Sequence, residues 1–115
     1  MNRPLACIAL AAVSFVGLSA REDGQVREVA VTGKDHAFSP EVIQVQKDDL
    51  VKITFTAADI AHSFTNERYR ISKRAGAGQT VTFEFRADQT GESEFYCNLS
   101  ADDRCRNMKG RLIVR

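Results

Sequence analysis

The C-terminal segment of this 115-residue chain places three sulfur-containing side chains within a short stretch. Cys97 ends a strand-like run that begins at Glu94, and after a polar loop Cys105 and Met108 precede Gly110. Thiolates and thioethers are soft donors, and soft donors favour Cu(I) among the common metal ions. Side chains at this spacing can converge on one ion, so the segment predicts a metal site.

An imidazole would complete such a site, and the chain contains only two histidines. His62 lies in the segment Asp59–Phe64, at the start of another strand-like run and 35 residues before Cys97. A thiolate and imidazole set with a weak axial methionine is the blue-copper arrangement. The predicted metal ligands are therefore His62, Cys97, Cys105 and Met108. His36 is interpreted as an ordinary exposed residue. It could supply a second imidazole to the metal only if it pointed to the same end of the fold.

Each of these residues also has a purely structural interpretation. Two sulfurs held around one metal are close enough to join, and the eight-residue separation of Cys97 and Cys105 closes easily as a disulfide. A buried methionine such as Met108 often fills a gap in the core. His62 alone would be an ordinary loop histidine. The metal site and the disulfide both remain open at this point.

The first twenty residues have the layout of a secretory signal. A short basic start is followed by an apolar run, Leu5–Val16, and by the small residues of the segment 17–20. The run is too short to span a bilayer comfortably. We therefore predict a signal peptide at 1–20, a linker at 21–27 and a domain at 28–115, exported to a periplasmic or extracellular space. Cys7 would leave with the signal.

The charge of the remaining chain excludes several classes of partner. The full chain has 16 basic and 15 acidic residues, and the part after the signal is near neutrality. Nucleic-acid binding needs a basic stripe and a membrane-surface patch needs clustered basic residues, so neither is expected. No stable membrane insertion is expected after signal removal. The sequence offers no Ser-His-acid arrangement and no Cys-x-x-Cys spacing, so we predict that the protein is not an enzyme.

Short apolar runs separated by polar turns predict the fold. Val51, Ile53 and Phe55 alternate with polar residues, and the segment Thr80–Phe85 alternates in the same way. Such period-two runs predict an all-β, Greek-key antiparallel β-sandwich with about seven to eight strands. The segment 66–79 is the longest break in the pattern and is interpreted as a basic excursion that ends in a glycine-rich turn.

Five segments of the chain, taken in order, resemble a cupredoxin domain. The resemblance covers residues 28–115 and implies a cupredoxin-like sandwich, with His62 in the place of the family's first copper ligand. The matching segments are Phe38–Val45 with the turn Lys47–Asp49, Asp59–Phe64, Gly78–Phe85, Gly91 with Phe95–Cys97, and Met108–Val114.

Within that family the C-terminal segment is most similar to the CuA-type domain of cytochrome c oxidase subunit II and nitrous oxide reductase. Its pattern is Cys, three residues, Cys, three residues, His, two residues, Met. Cys97 and Met108 hold the outer places, but Ala101 replaces the second cysteine and Cys105 replaces the histidine. This degenerate ligand loop cannot build the two-copper cluster, so the resemblance implies one copper ion per chain.

Two thiolates with one imidazole and one thioether favour Cu(I). The expected function is therefore one-electron transfer or copper handling, with a redox or copper-trafficking protein as partner. The alternative is a metal-free binding or structural module that contains a Cys97–Cys105 disulfide.

Overall fold

The structure is a computed structural model that describes residues 24–115. The predicted signal peptide and Cys7 lie outside the described residues. Nine strands and one short 3-10 helix follow one another along the chain: β1 (Val26–Lys34), β2 (Ala37–Ser39), β3 (Val42–Val45), β4 (Leu50–Ala57), β5 (His62–Asn66), β6 (Ile71–Ala75), β7 (Thr80–Arg86), β8 (Gly91–Tyr96), the 3-10 helix (Asp103–Asn107) and β9 (Lys109–Val114). Among residues 24–115, no helix has the length and apolarity needed to cross a membrane.

The strands form two sheets, which confirms the predicted all-β sandwich. One sheet has the order β2-β1-β4-β7 and the other has the order β3-β9-β8-β5-β6. Two details differ from the prediction: there are nine strands, and the pairs β1–β4 and β3–β9 are parallel. The chain crosses between the sheets after β2, β3, β4, β6 and β7, so strands that run in the same direction become neighbours. Sequence periodicity carries no information about such crossings.

The alternating runs supply the core, as their pattern predicts. In β4, Val51, Ile53 and Phe55 are fully buried, and in β7 Phe83 and Phe85 are buried. Side chains of a strand point alternately to opposite faces, so one face of each sheet packs against the other sheet. Aromatic rings fill the interface between the sheets: Phe38 and Phe55 come from one sheet and Phe64 and Phe95 from the other, with the last two stacked at 4.6 Å.

The segment 66–79 is not a strandless excursion, so that interpretation is wrong in part. It contains β6, which pairs with β5 from Ile71 to Ala75 at the edge of its sheet. Only the two end residues of β6 are buried, and the three between them are exposed. The sequence of such a strand has no period-two pattern. Main-chain hydrogen bonds to β5 hold the strand in the sheet.

Four connections meet at one end of the sandwich, which we call the histidine end. They are the β1–β2 turn at 35–36, the β4–β5 loop at 58–61, the β6–β7 turn at 76–79 and the β8–β9 connection at 97–108. Because β1 and β4 are parallel, their C-terminal ends lie side by side, and the amide of Ala58 donates to the carbonyl of Gly33 at 2.9 Å. Residues far apart in the sequence therefore meet at this end.

Candidate functional site

All four predicted ligands are buried at the histidine end. His62 is the first residue of β5, Cys97 directly follows β8, Cys105 lies in the 3-10 helix, and Met108 precedes β9. Cys105 is 1% exposed and the other three have no exposed surface. The prediction that they share one region therefore agrees with where the structure places them, whereas their assignment as metal ligands stays a prediction.

The side chain of His62 is held by a carboxylate on one side only. Its Nε2 lies 2.8 Å from Oδ1 of Asp59, which also accepts the amide of Ile60, while Oδ2 accepts the amide of Asp35. These two amides, and then His62, hold the pKa of Asp59 well below its usual range. An ionised Asp59 only accepts hydrogen bonds, so in the singly protonated tautomer of the ring the proton lies on Nε2.

The other ring nitrogen of His62 is consequently a lone-pair acceptor. Nδ1 is buried and has no hydrogen-bond partner within residues 24–115. A buried polar atom without a partner is costly and calls for an explanation. Nδ1 is the atom through which His62 is free to bind a metal.

Gly33 makes room for the side chains of His62 and Met108. A Cβ added to Gly33 would lie 3.0 Å from the Met108 methyl carbon and 3.2 Å from Cδ2 of His62. The imidazole and the thioether therefore meet over the backbone of β1. Gly33 precedes Lys34 and Asp35, a combination typical of a turn, but it lies within β1. A glycine within a strand often marks a close approach, and that signal would have identified it.

Cys97 and Cys105 form a disulfide, with a Cα–Cα distance of 5.1 Å. Of the two states that the sequence leaves open, the structure contains this one. The amide of Met108 donates to the carbonyl of Cys105 at 3.0 Å, and the amide of Cys97 donates to the carbonyl of Met108 at 3.1 Å. Thiolates are the metal-binding form of cysteine, so these sulfurs bind no metal as soft thiolates while they are joined to each other.

His36 also points to the histidine end, so its interpretation as an exposed residue is wrong. Its side chain is 12% exposed, and its ring lies edge-on to that of His62 with the centroids 5.6 Å apart. Asp35 and His36 have φ angles of 53° and 57°, which are typical of a two-residue type I′ hairpin turn. The tight turn brings the His36 ring against the β8–β9 connection.

Asp102 joins that connection to His36. Its Oδ2 lies 2.6 Å from Nε2 of His36, and its Oδ1 accepts the amide of Arg104 at 3.0 Å, which caps the 3-10 helix. The hydrogen bond from His36 is the main reason why the pKa of Asp102 lies below its ordinary value. Asp102 begins the charged run Asp102–Arg104, which is typical of a solvated loop tip, and nothing local in that run indicates this contact.

Ser63 and Asn98 fix the start of the same connection. The hydroxyl of Ser63 donates to Oδ1 of Asn98 at 2.7 Å and accepts the amide of Asn98 at 2.8 Å. Each residue is the chain neighbour of a predicted ligand, His62 or Cys97. The pair therefore couples the positions of these two ligands, and the sequence analysis did not identify it.

The donors at the histidine end are incomplete as a metal site in the described state. Among residues 24–115, no three His, Cys, Asp or Glu side chains come together as a metal-binding group. The free donors are Nδ1 of His62 and the thioether of Met108. Reduction of the disulfide would add two thiolates, and the resulting soft set suits Cu(I). The residues fit copper in the dithiol state and not in the disulfide state.

Comparison with known proteins places the fold among copper proteins. The chain shares 21% identity with the metal-binding domain of the Cu(I)-exporting P-type ATPase CopA from Streptococcus pneumoniae, solved with Cu(I), at a TM-score of 0.69 over 81% of this chain and 89% of that one. It shares 18% identity with auracyanin A, a blue copper protein from Chloroflexus aurantiacus, at a TM-score of 0.65 over 78% of this chain and 99% of that one.

A blue copper oxidase from Nitrosomonas europaea is similar over part of its length. The identity is 19% and the TM-score 0.64, over 79% of this chain and 39% of the oxidase chain. This chain thus spans about two fifths of that oxidase. At these identities the solved structures establish the fold alone. No curated protein matches the chain. The family model described as the cupredoxin-like domain matches residues 7–114, and the chain therefore belongs to the cupredoxin-like domain family.

Proposed function

We propose that this protein is an exported copper-binding cupredoxin that holds one copper ion, as Cu(I), when the Cys97–Cys105 disulfide is reduced. His62, Cys97, Cys105 and Met108 would be the ligands. Bound copper would supply a soft, redox-active cation in a site closed to water. The chain's own residues bind it, orient the donors and exclude solvent.

The observation that carries this proposal is the unpartnered Nδ1 of His62. The Asp59 carboxylate fixes the ring through Nε2, so Nδ1 keeps its lone pair in the protein interior. Outer carboxylates of this kind orient metal-binding histidines and fix their tautomer. The Met108 thioether lies beside the same ring, over Gly33. An imidazole prepared in this way is expected at a metal site and is costly elsewhere.

Copper handling is favoured over electron transfer because of the number of sulfur donors. Three sulfurs and one nitrogen stabilise Cu(I) relative to Cu(II), which hinders a reversible one-electron couple. Within the family, the eleven-residue spacing of Cys97 and Met108 supports a relationship to CuA-type domains. Ala101 lacks the second bridging thiolate, so we propose a mononuclear site.

We further propose a binding protein rather than an enzyme, with an exported copper-trafficking or redox protein as its partner. The hydroxyl of Ser63 is engaged by Asn98 and is not activated by a histidine. The signal-like segment at 1–20 supports export. The near-neutral charge supports a protein partner over nucleic acid.

The second candidate is a metal-free module in which the disulfide is permanent. The observation that favours it is the disulfide itself, which closes the β8–β9 connection. Under this alternative His62 and Met108 are core residues, and copper binds neither the oxidised nor the reduced protein.

Copper titration of reduced and oxidised protein tests the proposal. We expect the reduced protein to bind one Cu(I) per chain and to protect both thiols from alkylation, and the oxidised protein to bind none. His62→Ala should weaken Cu(I) binding by about 100-fold or more, since loss of an outer-shell partner alone costs 10- to 100-fold. His36→Ala is the matched control because it removes the neighbouring imidazole. Equal weakening by both substitutions would contradict the ligand assignment.

Cys105→His tests the same assignment by a visible signal. The variant restores a set of two imidazoles, one thiolate and one thioether, which is the blue-copper set. We expect a Cu(II)–thiolate charge-transfer band, measured by absorption spectroscopy. A folded variant that binds no copper, with His62 and Cys97 intact, would show that the site is wrongly assigned.

A further inference from the structure

A groove of about 870 Å³ reaches one sulfur residue of the disulfide and not the other. It lies along β8 and the connection that follows, and its lining includes Cys97, Asn98, Leu99 and Arg106. Cys105 does not line it. The two cysteines are almost equally buried, so exposure alone does not separate them. The groove makes the approach to Cys97 different from the approach to Cys105.

The electrostatic environment of the two sulfurs also differs. The amide of Leu99 donates to Sγ of Cys105 at 3.1 Å. A hydrogen bond donated to a sulfur stabilises negative charge that develops on that atom. In thiol–disulfide exchange, this charge develops on the sulfur that departs with the electron pair. Cys105 is therefore the better leaving group of the pair.

The lining of the groove carries charges of both signs, and two of its cations are unpaired within residues 24–115. The side chains of Arg106 and Lys109 line it and make no hydrogen bond or ion pair with other residues in the part of the chain that the structure describes. Of the acidic lining residues, Glu67 accepts the hydroxyl of Tyr96 at 2.6 Å and Glu92 pairs with Arg111 at 3.2 Å, whereas the Glu94 side chain has no such partner in the described part of the chain. Free cations attract an incoming thiolate, which is the attacking species in exchange.

We propose that the Cys97–Cys105 disulfide is an exchangeable bond with a fixed polarity, opened by a dithiol reductant that attacks Cys97 from this groove. The thiolate of the reductant forms a bond to Sγ of Cys97. The bond between the two protein sulfurs breaks, and its electron pair leaves on Sγ of Cys105, where the Leu99 amide stabilises the thiolate.

The second thiol of the reductant then completes the reaction. As a thiolate it attacks the reductant sulfur of the mixed disulfide, and the electron pair of that bond leaves on Cys97. The protein gains two electrons and, at the end, up to two protons, and the reductant becomes a cyclic or intramolecular disulfide. The role of this exchange in regulating the copper site rests on the proposed function. The exchange itself involves no metal.

Trapping of the mixed disulfide tests the polarity on the full chain without metal. The native protein, with a chelator present, is exposed briefly to glutathione, quenched with acid and labelled with N-ethylmaleimide. Peptide mass spectrometry then locates each group. We expect glutathione on Cys97 and the maleimide on Cys105, with a preference of about tenfold or more. An even distribution, a preference for Cys105, or reaction only in denaturant would overturn the proposal.

Charge variants test the role of the groove independently. Arg106→Glu should slow exchange with glutathione, whose attacking thiolate form carries further carboxylate charge, by about threefold or more, and should slow exchange with the singly charged 2-mercaptoethanol thiolate by less. Arg74→Glu, on the exposed face of β6, is the matched control and should change neither rate. Equal effects of the two substitutions would remove the groove from the mechanism. If glutathione forms the adduct on Cys97 but the reduced protein binds no Cu(I), the proposed function is overturned and the exchange proposal is not.

Discussion

The two ends of the sandwich each bury one ionisable side chain with one unpartnered atom. At the histidine end that atom is Nδ1 of His62. At the opposite end, which we call the aspartate end, it is Oδ1 of Asp49. Both residues have no exposed surface. A buried atom without a partner is therefore not by itself a sign of a binding site.

The surroundings of the two atoms differ in chemistry. Oδ2 of Asp49 accepts the amide of Gln46 at 2.9 Å and Nε of Arg27 at 3.2 Å, so the carboxylate closes a turn and pairs with a cation. At the histidine end lie a thioether, a second imidazole and the disulfide. The aspartate end holds the chain together, whereas the histidine end collects donors that suit a soft metal. The two ends therefore differ in the donor atoms that lie near the unpartnered atom, and not in its burial.

Asp49→Ala should produce the largest change in stability and no change in copper binding. The substitution removes a buried acceptor and leaves the Gln46 amide and Arg27 without it, which we expect to lower the free energy of unfolding by about 3 kcal/mol. Urea unfolding measures this, with the exposed Asp88→Ala as control. A weaker Cu(I) affinity at unchanged fold would show that the two ends are coupled.

Reduction of the disulfide should destabilise the metal-free protein by about 2.5 kcal/mol, the chain-entropy value for so short a loop. Hydrogen exchange should locate the effect at the histidine end. The amides of Leu99 and Met108 should lose protection, and the amides of Lys47 and Asp48 at the aspartate end should keep it. The control is the double variant Cys97→Ser/Cys105→Ser, which lacks the disulfide under oxidising and reducing conditions alike. Uniform loss of protection would mean that the disulfide supports the whole fold.

Gly33→Ala should affect binding more than stability. The new Cβ would press on the Met108 methyl group and the His62 ring, which lie 3.0 and 3.2 Å away. We expect a loss of about 1 kcal/mol in unfolding free energy, since the methyl end of methionine is flexible. Cu(I) affinity of the reduced protein should fall about tenfold, because both donors shift. Ala30→Ser, on the exposed side of β1, should alter neither quantity.

The smallest expected effect concerns Asp102. Its pKa is lowered from 3.8, chiefly by the hydrogen bond to His36. A carboxyl with a lowered folded pKa stabilises the fold above its unfolded pKa, and this contribution disappears as the pH falls through the folded value. NMR titration should find the Asp102 pKa below 3.8 and, in His36→Gln, closer to 3.8. Lys34→Gln in the same hairpin is the control, and an equal shift there would exclude His36 as the cause.

Much of the architecture could be predicted from local patterns. The alternation in β4 and β7 identifies buried faces, because a strand has a fixed period of two. The missed strand β6 has three consecutive exposed residues, so its own sequence has no such pattern. The parallel pairs were missed because they depend on crossings between the sheets.

The surroundings of the four predicted ligands could be predicted only in part. His62, Cys97, Cys105 and Met108 were identified by residue type and spacing, and they lie together. His36 was misjudged because its position depends on the geometry of one two-residue turn. Asp59 lies in the segment quoted for His62, but its hydrogen bond to the ring follows only from the folded loop.

The sequence by itself determined the strand faces, the family and the presence of soft donors at the C-terminal end, since each depends on neighbouring residues. The tertiary structure decided which donors are free. It joins the two cysteines, turns His36 toward His62 and leaves Nδ1 of His62 without a partner. These outcomes depend on distances between segments up to about 70 residues apart, and only the crossing of the chain between two packed sheets sets them.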